Sequence, residues 1–150
     1  MQGVFLGRYH HTIDTKGRLS IPGKYRDALA QRYGDILVVT KDPDLCLVVH
    51  PMEEWKRLAE KIRSIPGNVQ AVKDYKRFIH GEAVDCMLDK QGRILIPPEL
   101  REFARLGRDA VLVGVEDHFE VWSHDRWQIK AEQMTREIGQ IAGAVAGFGV

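Results

Sequence analysis

Ten residues of this chain, Ile13-Asp14-Thr15-Lys16-Gly17-Arg18-Leu19-Ser20-Ile21-Pro22, return as Leu88-Asp89-Lys90-Gln91-Gly92-Arg93-Ile94-Leu95-Ile96-Pro97. The offset is 75 residues, half of the 150-residue length. Further blocks follow in the same order: Tyr25-Arg26 answers Leu100-Arg101, and Ile36 to Val39 answers Ala110 to Val113. Val48 to Trp55 then answers Val121 to Trp127, one residue shorter in the second copy. A repeat of this length is one supersecondary unit used twice, so the two halves must share a core.

Each copy has a local reading. Asp, two residues and Gly place Asp first and Gly last in a tight turn, where a positive φ costs glycine little. That pattern predicts a hairpin from Arg8–Ile13 through the turn into Arg18–Ile21, whose alternation gives one buried face. Pro22, or Pro97-Pro98, ends the strand and suits the first turn of a short helix. Tyr25, Ala28 and Leu29 are its buried residues in the first copy; Leu100 and Phe103 serve in the second, with Gly107 closing the helix. A Val/Leu/Ile-rich strand, a turn at Asp42-Pro43-Asp44 or Glu116-Asp117 and a last strand complete the unit.

The predicted fold is α+β: two repeats of β-hairpin, short helix and β-hairpin, over 7–55 and 81–127. A helical connector spans 56–80, and a C-terminal helix and tail span 128–150. Trp55, Leu58, Ala59 and Ile62 line one face of the connector's first helix, which is predicted over Pro51 to Ser64; a second helix runs to about Ile79. Trp127, Ala131, Met134, Ile138 and Ile141 make a narrow stripe fit for packing on another helix or on the chain's own strands. The tail from Ile141 is expected to fray or to lie against a neighbour.

Composition removes several classes. With 44% hydrophobic and 29% charged residues and a net charge of +1, the chain has the means to build a core and is not of the disordered type. No apolar run approaches the roughly 18 residues of a membrane span, and the first residues lack a signal peptide's pattern. Cys46 and Cys86 are isolated, and the six histidines have no ligand spacing. No nucleophile elbow, phosphate loop or zinc-protease motif occurs. A non-enzymatic cytoplasmic protein with reduced thiols, no metal site and no cofactor is therefore expected.

Charge distribution says more than its sum. Residues 1–75 hold 12 Lys and Arg against 9 Asp and Glu, whereas 76–150 hold 10 against 12. Arg8, Lys16, Arg18, Lys24 and Arg26 precede residue 27 with Asp14 the single acid among them. Asp14, Gly17, Asp89, Gly92 and Arg93 are read as hairpin-structural residues; the basic five are candidate nucleic-acid contacts, meeting phosphates or base edges. The turn residues persist between the copies while the surrounding positive charge does not, which gives the first repeat most of the contact.

The paired motifs resemble those of the MraZ family, bacterial regulators with two AbrB-like halves; Phe5-Leu6-Gly7, Trp55 and Trp127 match as well, and the likeness spans residues 5 to 142. The resemblance implies a swapped-hairpin β-barrel made within one chain, assembly into a homo-oligomeric ring, and a nucleoid-associated protein. It also implies binding to double-stranded DNA at short tandem repeats upstream of the division and cell-wall gene cluster, with control of that cluster and of its own gene. Carried over by position, the family's DNA-contacting arginine falls on Arg18, its aspartate on Asp14 and its lysine on Lys16; Arg8, Lys24 and Arg26 are added on local charge. The competing expectation is a ring-forming protein whose partners are other proteins, met by the acidic second half.

Overall fold

The computed structural model describes residues 4–150. In chain order the elements are β1 (Arg8–Thr12), β2 (Arg18–Ser20), α1 (Gly23–Ala28) with a π-helical turn over Leu29–Tyr33, β3 (Ile36–Lys41) and β4 (Leu47–Pro51). Two connecting helices follow, α2 (Met52–Arg63) and α3 (Gln70–His80). The second copy then runs β5 (Val84–Met87), β6 (Arg93–Leu95), α4 (Pro98–Phe103), β7 (Asp109–Gly114), β8 (Phe119–Ser123) and α5 (His124–Val145), ending in a 3-10 turn over Ala146–Phe148.

Strand pairing interleaves the copies. One antiparallel sheet has the order β1-β7-β8-β4-β3-β5, and β2 with β6 forms a separate two-stranded ribbon. The predicted first hairpin is thus only partly formed. Its turn closes, with the Asp14 N–H donating to the Arg18 carbonyl at 3.0 Å and the Gly17 N–H to the Asp14 carbonyl at 2.9 Å. Beyond the single Ile13–Leu19 bridge, however, β1 and β2 part. A three-residue β2 offers β1 little ladder, whereas β7 pairs all five residues of β1, Arg8 to Val113 through Thr12 to Asp109. By the same exchange β5 pairs with β3. Among the described residues β1 and β5 remain the two edges of the six-stranded sheet, so no hydrogen-bonded ladder closes a barrel.

The core is common to both copies. Leu19, Ile21, Leu29, Leu37 and Leu47 of the first pack with Ile94, Ile96, Leu100, Leu112 and Phe119 of the second. Tyr25 sits between Phe5 and Phe119, with ring centroids 5.5 and 4.9 Å away, and its hydroxyl donates to the Gly7 carbonyl at 2.6 Å. A buried tyrosine must find such an acceptor, or the loss of water at its hydroxyl is uncompensated.

At three places the structure adds detail to the local reading. The helix of the second copy stops at Phe103 rather than at Gly107: Arg105 takes the left-handed φ of +52°, and the Leu106 N–H reaches back to the Arg101 carbonyl at 2.9 Å. α5 continues past Ile141 to Val145, on residues such as Ala142 and Ala144 that favour a helix. Part of its stripe packs on the chain's own strands: Trp127, Ala131 and Met134 are half-buried where α5 meets β7 and β8, while Ile138 and Ile141 are exposed. In contrast, Ile62 of α2 is buried, and α2 packs on β3 and β4.

Candidate nucleic-acid interface

The β2–β6 ribbon is the structural centre of the basic residues. Its register sets Arg18 opposite Leu95, Leu19 opposite Ile94 and Ser20 opposite Arg93. Side chains alternate across a strand, so burial of Leu19 and Ile94 turns Arg18, Ser20, Arg93 and Leu95 to the other face. Two arginines, one from each copy, therefore stand diagonally on the outer face of a two-stranded ribbon. A ribbon of this width fits the major groove of B-form DNA.

The flanking turns are built alike. Asp14 Oδ1 accepts the backbone N–H groups of Lys16 (3.0 Å) and Arg18 (2.9 Å), while Oδ2 accepts from Arg18 Nε at 2.6 Å. Asp89 repeats the set with Gln91 (2.8 Å), Arg93 (2.9 Å) and Arg93 Nε (2.9 Å). The backbone N–H donated by Arg18 is the largest influence holding the Asp14 carboxyl below the usual carboxylate range, and that of Arg93 does the same for Asp89. Arg93 Nη1 also stands 4.0 Å from Asp14 Oδ2, linking the turns across the repeat boundary. In each guanidinium the Nε is used by the aspartate, which fixes the direction of the fork and leaves donors for a phosphate or a base edge.

Gly17 and Gly92 take φ of +89° and +75°, as the turn requires. They also receive close neighbours. A Cβ on Gly17 would lie 2.8 Å from the Ile96 carbonyl oxygen and 2.9 Å from Arg101 Nε, and one on Gly92 would lie 2.7 Å from Arg26 Cδ. Each helix arginine thus lies against the turn of the other copy. Arg26 Nε donates to the Ile21 carbonyl at 3.1 Å, and Arg101 Nε to the Ile96 carbonyl at 3.0 Å.

Of the five basic candidates, Lys16 is exposed at the first turn and Arg18 half-buried beside it. Lys24 is exposed on α1. Arg26 is exposed but belongs spatially to the Gly92 turn. Arg8 is not brought to the ribbon: it opens the far end of β1, opposite Val113, in a hollow shared with Tyr9, Trp127 and Gln128. Arg101 escaped the sequence reading, although its alignment with Arg26 carried the signal. Four of the six histidines, scattered in sequence, meet in pairs: His10 stacks on His124 and His50 lies tilted against His118, at 5.0 and 5.1 Å between centroids.

Among the described residues one group has metal-ligand geometry. A carboxylate oxygen of Asp42, the Cys46 sulfur and a carboxylate oxygen of Glu120 all lie within 4.8 Å of one another. Burial pushes all three groups toward their protonated forms. Sequence spacing could not reveal the trio, because Glu120 comes from the other copy. It sits at the β3–β4 turn and on β8, on elements that carry none of the five basic candidates.

Fold and site together define a class: a two-copy α+β protein whose interleaved halves present a ribbon of fixed arginines between two aspartate-capped turns. A model of the family described as "MraZ protein, putative antitoxin-like" matches residues 4–78 and again 79–143. The chain is 43% identical over 147 residues to "Transcriptional regulator MraZ" of Desulfitobacterium hafniense, covering 98% of this chain and 100% of the relative. It is 40% identical over 147 residues to the protein of that name from Moorella thermoacetica, with the same coverage, and 47% over 125 residues to that of Roseiflexus castenholzii, covering 83% of this chain and 85% of the relative. The chain belongs to the MraZ family.

Proposed function

We propose that this protein is a sequence-specific, DNA-binding transcriptional regulator rather than an enzyme, and that the β2–β6 ribbon is its DNA-facing surface. The observation that carries the reading is the pair of outward arginines, Arg18 and Arg93, each aimed by its own aspartate. The relatives' shared name supports regulation of transcription.

Within that reading, Arg18 and Lys16 make the principal contacts, Lys24 adds a phosphate contact from α1, Arg26 adds one at the Gly92 turn, and Arg8 meets DNA only where a site extends past the ribbon. Asp14, Gly17, Asp89, Gly92 and Arg93 hold the turns, and no resident metal or cofactor takes part. The repeats 7–55 and 81–127 act as the two halves of one swapped-hairpin barrel, a reading supported by the β1–β7 and β3–β5 pairings across copies. The connector 56–80 and the segment 128–150 flank that barrel.

The target is short tandem repeats in double-stranded DNA upstream of the division and cell-wall gene cluster and of the protein's own gene, in the cytoplasm at the nucleoid. A net charge of +1 makes a lone protomer a weak binder. A homo-oligomeric ring repeats the ribbon, so tandem sites gain by effective concentration. No helix of the described residues is long and apolar enough to cross a membrane.

Titration of the full chain against its own upstream DNA tests this, with scrambled DNA as competitor and Arg18→Ala as comparison. Expected is a preference of about 10³-fold or more over scrambled DNA, lost in Arg18→Ala. Equal competition by scrambled DNA contradicts sequence-specific regulation. Normal binding by Arg18→Ala contradicts the placing of the site on the ribbon.

A further inference from the structure

Arg101 is an arginine of the second copy that lies on the turn of the first. Its Nε is committed to the Ile96 carbonyl at 3.0 Å, and the Ile96 N–H in turn donates to the Gly17 carbonyl at 2.9 Å. The guanidinium carbon would stand 3.0 Å from a Cβ on Gly17, so only a glycine lets the group lie this close to the turn backbone. Among the described residues no carboxylate pairs with Arg101, whereas Arg18 and Arg93 are each paired with the aspartate of their own turn. A half-buried guanidinium, held by its inner nitrogen with its outer nitrogens and its charge unmatched, is arranged to receive an anion.

We infer that Arg101 completes the first copy's DNA site, donating to a backbone phosphate beside the turn that carries Lys16 and Arg18. The first-turn site is thus composite: Lys16 and Arg18 come from one copy and Arg101 from the other. The exchange of the helix arginines is reciprocal, since Arg26 lies on Gly92 with its Nε on the Ile21 carbonyl. The basic surface of the first turn therefore cannot be assigned to residues 1–75 alone.

This inference rests on the DNA-binding reading above, and its test separates the two. Anisotropy titrations of the full chain with its upstream tandem-site DNA at several salt concentrations give the slope of log affinity against log salt. Each phosphate contact contributes about −0.9 to that slope. Arg101→Gln is expected to weaken binding roughly tenfold and to make the slope shallower by about 0.9 for each such contact. Arg101→Lys keeps the charge and is expected to keep the slope while losing part of the affinity. Arg136→Gln, on the exposed stretch of α5, controls for net charge and is expected to leave the slope unchanged.

A purely structural brace would lower affinity or melting temperature without moving the slope, so an unchanged slope in a folded Arg101→Gln overturns the inference. Should that variant not fold, Arg101→Met, which keeps the stem packed over Gly17, is read in its place by the same criterion. If the unsubstituted protein shows no salt-dependent binding at all, the DNA-binding reading falls and this inference falls with it. If it binds and depends on Arg18 while Arg101→Gln keeps the full slope, only the inference falls.

Discussion

Leu19 of β2 stands directly opposite Ile94 of β6, and both are buried, at 0% and 1% exposure. The pair ties the ribbon to the shared core and, by the alternation of the strands, dictates that the neighbouring arginines face away from it. Leu19→Ala and Ile94→Ala are each expected to destabilise the protein by about 2–5 kcal/mol through lost burial and the cavity left behind. Leu95→Ala, on the opposite face at 56% exposure, is expected to change stability by no more than about 0.5 kcal/mol. Urea unfolding of the three variants checks this; a Leu95 effect as large as that of Leu19 would mean the ribbon faces the other way.

The two turn glycines are expected to respond unequally. Both have positive φ, which a Cβ makes costly. At Gly17 the added Cβ also meets the Ile96 backbone oxygen at 2.8 Å, whereas at Gly92 it meets only the flexible side chain of Arg26. Gly17→Ala should therefore be the more destabilising, by at least about 1 kcal/mol, and Gly107→Ala, with nothing within 4 Å, nearly neutral. Thermal unfolding of the three variants gives the order.

Asp14 carries three hydrogen bonds of the first turn and aims Arg18. Asp14→Ala is expected to lower stability, as for loss of a side-chain cap on backbone amides. It should also weaken DNA binding by tenfold or more, because Arg18 loses its direction. Asp89→Ala should cost similar stability with a smaller loss of binding, since Gln91 stands where the first turn has Lys16. Binding titrations paired with urea unfolding separate the two effects.

His50 sets a pH window. Burial, helped by the nearby His118, pushes its imidazole down to about 4, from a usual value near 6.5. Between those values the unfolded chain binds more protons than the folded one, so stability rises with pH across the window and is flat above it. On acidification from pH 7 to 4 the loss attributable to His50 is about 3 kcal/mol. The aspartates of the turns shift the same way, below their usual range, so their contribution also rises with pH but lower down: it is lost only as pH falls through and below the usual carboxylate range. His50→Phe should flatten urea midpoints between pH 4 and 6.5, and an unaltered pH profile would place the titration elsewhere.

Much of this was legible in the sequence, for identifiable reasons. The Asp-x-x-Gly-Arg turns are local, and their hydrogen bonds run between residues two to four apart, so spacing alone located Asp14, Gly17, Arg18 and their counterparts. The amphipathic face of α2 was legible in the same way, but whether it covers the chain's own strands or another protomer was open, and the structure sets Ile62 inward with α2 on β3 and β4. What lay beyond reach was non-local. Nothing in β1 says that it prefers β7 to β2, because the choice depends on ladder length in another copy. Arg26 and Arg101 read as members of their own helices, and only the interleaving of the copies puts each on the other's turn. The π-helical turn over Leu29–Tyr33 has no sequence signal that we can name.

The central claim is that DNA meets the β2–β6 ribbon, and photocrosslinking tests it most directly. A single cysteine introduced as Lys16→Cys and carrying a thiol-linked photocrosslinker should join to upstream tandem-site DNA, while the same probe at Ile129→Cys, exposed on α5, should not. The native thiols interfere little, since Cys46 is buried and burial raises the Cys86 thiol to about 11. Crosslinking from position 16 that scrambled DNA fails to reproduce is the predicted result. Crosslinking from position 129 with none from position 16 would place the DNA on α5 and contradict the account.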